Sequence, residues 1–118
     1  MKSLKEKYVE LCIKIDEADK ATNTRKFNQA MRSLNKLNQR IDENKDDAAF
    51  LVELLMHGNY SVRGYAAAHC YHLGMNPKQT LVVMEEVFKN APIGNLRANV
   101  GIKLGIISGR IVLSTSKK

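Results

Sequence analysis

The chain has no tryptophan, two cysteines and two prolines among its 118 residues, and each scarcity removes a class of protein. With four tyrosines and three phenylalanines as its only large rings, it has few of the flat side chains on which unpaired bases stack, so base readout lacks its usual tools. Two distant cysteines supply neither a disulfide framework nor a zinc-finger spacing. Cys12 and Cys70 instead fall at apolar positions of helical patterns, where free thiols of a reducing compartment are buried. Strand-favouring residues are confined to short runs, which disfavours an all-β fold. No apolar run approaches the ~18 residues of a membrane span, because Glu53 breaks residues 48–56 and Gly, Lys and Arg interrupt 100–113. The N-terminal Met1-Lys2-Ser3-Leu4-Lys5-Glu6-Lys7 is charged and lacks the apolar centre of a secretory signal, which points to a cytoplasmic protein with no membrane partner.

What is present reads as helix. The length and the 44% apolar fraction fit one domain with its own core. Ser3 and Glu6 form a capping-box pattern ahead of Leu4, Tyr8, Leu11, Cys12 and Ile15, predicting a helix over 3–18. Phe27, Ala30, Met31, Leu34, Leu37 and Ile41 predict a second over 24–43. A third, capped by Asp46 or Asp47, carries apolar residues from Ala49 to Met56 on more than one face, as a central helix would. A fourth covers about 60–73, and a fifth begins at Pro77 with Leu81, Val82, Met84, Val87 and Phe88 as its buried face. The sixth runs from about Asn95 to Ser108, with small residues at Ala98, Gly101 and Gly105, before a basic tail at 110–118.

The segment from Gly58 to Gly74 is the most legible part. A turn at Gly58-Asn59, the pair Val62-Arg63, small residues at Ala66, Ala67 and Ala68, and the stop Leu73-Gly74 read as the inner helix of a HEAT-like repeat. Leu51-Val52 answers Leu81-Val82 and Leu73-Gly74 answers Leu104-Gly105, displacements of 30 and 31 positions that predict stacked helical hairpins. The expected fold is a single all-α domain, a short HEAT-like α-α superhelical stack of about six antiparallel helices. Residues 1–45 would cap it and 46–109 would form two hairpins. From about Asp46 to Gly109, the residues Phe50-Leu51-Val52-Glu53-Leu54-Leu55, Ser61-Val62-Arg63, Ala66-Ala67-Ala68, Pro77, Asn95-Leu96-Arg97-Ala98 and Leu104-Gly105 resemble the HEAT-like bacterial family known as domain of unknown function 2019. Its motifs are packing residues and speak for fold. Small helical proteins of this kind resemble immunity proteins, so what the resemblance implies is binding to a cognate toxin.

Catalytic constellations are harder to assemble. Cys70 adjoins His69 and lies two positions from His72, but neighbours at those spacings point to different sides of a helix. His69 and His72 are spaced to share a face, yet a third and fourth metal ligand at fixed spacing are missing. Glu85-Glu86 and Asp46-Asp47 are adjacent pairs facing apart. Gly101, Gly105 and Gly109 follow a helical period, whereas a phosphate cradle needs irregular backbone. No nucleotide fingerprint is present, no cofactor is implied, and the chain reads as a non-enzyme.

The formal charge of +7 limits partners to anionic ones. Arg25, Arg32, Lys36 and Arg40 recur on one side of the second helix with Lys26 nearby, and no acid lies between Asp19 and Asp42. As a bland alternative this is a solvated face. As a binding stripe, it would meet carboxylates of a protein toxin or the phosphates of nucleic acid, the latter as the alternative partner. Arg63, Tyr65, His69 and His72 on the fourth helix, with Arg97 on the sixth, complete the candidate partner-binding set, being of the types common at interfaces.

Overall fold

Apolar periodicity and caps set six helices among the residues described by a computed structural model, which are 3–92 and 94–107. They are α1 (Leu4–Lys20), α2 (Thr24–Glu43), α3 (Phe50–Leu54), α4 (Tyr60–His72), α5 (Pro77–Asn90) and α6 (Asn95–Ile107), with a 3-10 turn at Lys45–Ala48 and no strand. The expected Ser108 end of α6, Gly109 and the basic tail lie outside the described residues.

The capping box forms as expected: Ser3 Oγ accepts from the Glu6 N–H at 3.2 Å, and Glu6 Oε1 accepts from the Ser3 N–H at 3.2 Å. Asn23 and Asn59 cap α2 and α4 by accepting from the Lys26 and Val62 N–H groups, each at 3.1 Å. Gly74, at φ 74, closes α4 in a Schellman motif. Its N–H reaches Tyr71 O at 3.0 Å, and the Met75 N–H reaches Cys70 O at 2.9 Å. α1 ends the same way with Thr22 at φ 54 in the left-handed position, the Asn23 N–H reaching Ala18 O at 2.8 Å. Sequence reading missed this second closure because threonine is a poor left-handed residue.

The third helix departs from expectation. Neither Asp46 nor Asp47 caps it; both lie in the 3-10 turn, and α3 is five residues long with no side-chain cap. The cause is the spacing of Ala48, Leu51 and Leu54, all buried and three apart, which suits the tighter 3-10 turn as well as an α-helix. Met56 is 80% exposed. The central helix is α4, which packs against α1, α3, α5 and α6. Its buried residues, Ser61, Val62, Gly64, Ala66, Ala67, His69 and Cys70, surround its axis, and their small size permits close approach. A Cβ on Gly64 would sit 3.0 Å from Leu96 Cδ1 and 3.3 Å from Val87 Cγ1.

On α5 the core face is Thr80, Val83, Met84 and Val87, while Val82 is 68% and Phe88 40% exposed, correcting the expected stripe. Thr80 fills a core position because its hydroxyl donates to Pro77 O at 2.9 Å and so is not left unpaired. The displacement read as a repeat does not relate equivalent positions, since Leu73 and Gly74 terminate α4 whereas Leu104 and Gly105 lie inside α6. Pairing of neighbours, α1 with α2, α3 with α4 and α5 with α6, nevertheless builds an all-α helical stack.

Two buried or clamped contacts fasten the first hairpin to the rest. Ser61 Oγ donates to Cys12 O at 2.8 Å. Asp19, on α1, accepts from the Asn95 backbone N–H and side-chain amide, each at 2.9 Å, and thereby caps α6.

Candidate binding surface

The rotation of α2 is fixed by Ala30, Leu34, Leu37 and Ile41, which are buried. Arg25, Arg32, Lys36 and Arg40 therefore project away from the core, and all four are exposed and unpaired among the described residues. They do not form one site. Lys36 and Arg40 line the groove between α1 and α2, whereas Arg25 and Arg32 stand outside its lining.

This groove consists of two adjoining depressions of about 570 and 310 Å³ that share Leu11 and Ser33, lined by α1, α2 and the turn between them alone. Leu11, Ala18, Ala30 and Leu37 give it an apolar floor. Its walls differ. The α2 wall carries Lys26, Lys36 and Arg40, while the α1 wall alternates Lys7, Glu10, Lys14 and Glu17. Glu10 and Lys14 pair at 3.7 Å, one turn apart. Lys7 and Lys14 were not singled out by sequence reading, although their spacing around Leu11 places them on one helix side.

The α4 candidates are drawn to different neighbours. Arg63 Nη1 lies 3.2 Å from Glu86 Oε1 on α5, with its guanidinium 4.7 Å from the centre of the Tyr60 ring and its side chain 17% exposed. Tyr65 accepts from Asn99 Nδ2 of α6 at 3.4 Å, and burial pushes its hydroxyl up to about 12. His69 Nε2 lies 3.0 Å and His72 Nε2 3.8 Å from the two oxygens of Asp42 on α2. Burial lowers the His69 pKa below the ordinary histidine value, against the opposing pull of Asp42. Arg97 lies 5.4 Å from the centre of the Phe88 ring. The cluster expected on the inner helix is thus dispersed, because a central helix has a neighbour on every side. His72 alone of the α4 set remains mostly exposed.

Both thiols are buried, Cys70 pushed up to about 11 and Cys12 further, so neither carries thiolate at neutral pH. Among the described residues no three His, Cys, Asp or Glu side chains are arranged to hold a metal, and no helix is long and apolar enough to cross a membrane. Comparison with protein-family models, curated proteins and solved structures found no match to this chain.

Proposed function

We propose that the chain is a non-catalytic binding module that docks an acidic protein surface on its α1–α2 face, in the manner of an immunity protein neutralising a cognate toxin. The observation that carries the reading is the row of unpaired cations on α2, exposed opposite a helix face that the core holds in place. Such a row steers an acidic partner and offers arginine forks for carboxylates. The toxin comes from the family resemblance of residues 46–109, which implies it without bearing on the cations.

Nucleic acid is the second reading, favoured by the same charge. Against it, no aromatic side chain lines the groove, and Glu10 and Glu17 would face a phosphate backbone. The test pairs this chain with the product of its neighbouring gene. Co-expression should relieve that product's toxicity, the two should co-purify, and the R32E/K36E/R40E variant should lose both effects with helicity intact. Equal binding by that variant removes α2 from the interface. Tight binding to duplex DNA that collapses over a moderate rise in salt, with no protein complex, would establish the second reading instead.

A further inference from the structure

The two walls of the α1–α2 groove differ in charge, and that difference says what shape of partner fits. Resting on the protein-docking reading above, we propose that the groove takes one amphipathic α-helix of the partner, acidic along a single flank. That flank faces Lys26, Lys36 and Arg40 on α2; a neutral polar flank faces the alternating Lys7, Glu10, Lys14 and Glu17 on α1. The apolar stripe of the incoming helix rests on Leu11, Ala18, Ala30 and Leu37.

Three observations select this occupant. First, the groove runs between two neighbouring helices and has alanines on both sides of its floor, Ala18 and Ala30. A third helix can therefore approach to the ~8–10 Å of ordinary helix packing. Second, the lining extends along α1 and its C-cap from Lys7 to Ala21, a length of about 20 Å that about four helical turns would fill. Third, charge excludes the obvious alternatives. A second copy of this chain placed face to face would set two net-positive linings together, each with Lys7, Lys14, Lys26, Lys36 and Arg40 against only Glu10 and Glu17. Phosphates spaced evenly along a strand would meet Glu10 and Glu17 as well as the lysines, and would leave the apolar floor without a partner.

The probe is a synthetic amphipathic peptide of about 16 residues, with leucines at helical spacing, glutamates on one flank and glutamines on the other. Its controls are a scrambled peptide of the same composition and a single-stranded DNA of similar length. Titration into the whole chain, followed by anisotropy and circular dichroism, should show saturable binding of the one-flank peptide with a gain in helicity, and at least about tenfold weaker binding of the scramble. Lys36→Glu with Arg40→Glu, which alters the groove wall, should weaken binding about tenfold or more; Arg25→Glu with Arg32→Glu, on α2 but outside the groove lining, should weaken it several-fold less, by loss of steering alone. Ser33→Trp, at an exposed position shared by both depressions, should block binding without changing the charge.

Loss of binding in the outer pair but not in the groove pair overturns the groove while leaving an acidic partner on α2. Equal binding of the scramble overturns the helical occupant. DNA binding that outcompetes the peptide and is abolished by Ser33→Trp makes nucleic acid the occupant and sinks both this proposal and the docking reading. Melting curves of every variant, expected within a few degrees of the parent, separate lost binding from lost fold.

Discussion

Tyr8 and His69 show what burial does to single polar groups in this core. The Tyr8 ring is fully buried against Phe50 in an edge-on contact of 5.7 Å, and among the described residues its hydroxyl has no hydrogen-bond partner. A buried hydroxyl without a partner costs stability that a phenyl ring does not. Tyr8→Phe should therefore raise stability by about 1 kcal/mol, read as a higher midpoint in urea; a lower midpoint would mean that the hydroxyl is satisfied in solution. For His69 the folded pKa lies below the ordinary value because burial disfavours the cation. The unfolded chain then binds more protons than the folded one in the window below about 6.5, so stability is full above that pH and declines as the solution is acidified through it. His69→Gln should flatten the melting temperature between pH 7 and 5.5 relative to the parent. An unchanged slope would assign the acid sensitivity to other groups. None of this was legible in the sequence, where Tyr8 reads as one more apolar stripe position and His69 as a candidate surface contact, because burial on every side of α4 is a property of the assembled stack.

At the scale of the element, the caps decide where helices stop. α1 and α4 close with the same hydrogen-bond pattern but with Thr22 and Gly74 in the left-handed position. A β-branched residue there is strained by roughly 1 kcal/mol or more. Thr22→Gly should stabilise the chain by up to about 1 kcal/mol and Gly74→Ala should destabilise it by a similar amount, both measured by denaturant melts. The α6 cap is made by a distant side chain, Asp19, seated so closely that a Cβ on Gly94 would lie 2.7 Å from its carboxylate. Asp19→Ala should cost about 1–2 kcal/mol, as loss of a helix cap does. Local signals of this type explain why α1, α4 and α5 were readable: Ser3 with Glu6, Gly74 and Pro77 each mark an end within a few residues of the chain they act on, while α2 was read from its apolar stripe and its Asn23 cap was not. The short α3 was not readable, since three-residue spacing of Ala48, Leu51 and Leu54 serves two kinds of helix equally well. Nor was the cap on α6, whose partner is supplied by another helix far away in the chain.

At the scale of the whole molecule, the cations of α2 stand where folding gains nothing from them. The core holds α2 by Ala30, Leu34, Leu37 and Ile41, while Arg32, Lys36 and Arg40 stand one turn apart as like charges on the exposed side. Pairs at that spacing repel by a few tenths of a kcal/mol each. This repulsion was visible in the sequence as a stripe; the groove beside it was not, because Lys7, Lys14 and the apolar floor join α2 only when α1 folds back on it. A surface selected only for stability would not keep such a row, which gives the docking reading a consequence for folding as well as for binding. Lys36 is the decisive residue, since it repels both Arg32 and Arg40 and also lines the groove. Lys36→Glu converts two repulsive pairs into two attractive ones and should stabilise the free chain by about 0.5–1 kcal/mol at low salt. The gain should shrink as salt screens it. The same substitution should weaken capture of the acidic partner, so stability and binding would move in opposite directions at one position. If Lys36→Glu instead lowers the melting temperature at low salt, the cation contributes to the fold, and the unpaired row loses its standing as a surface kept for a partner.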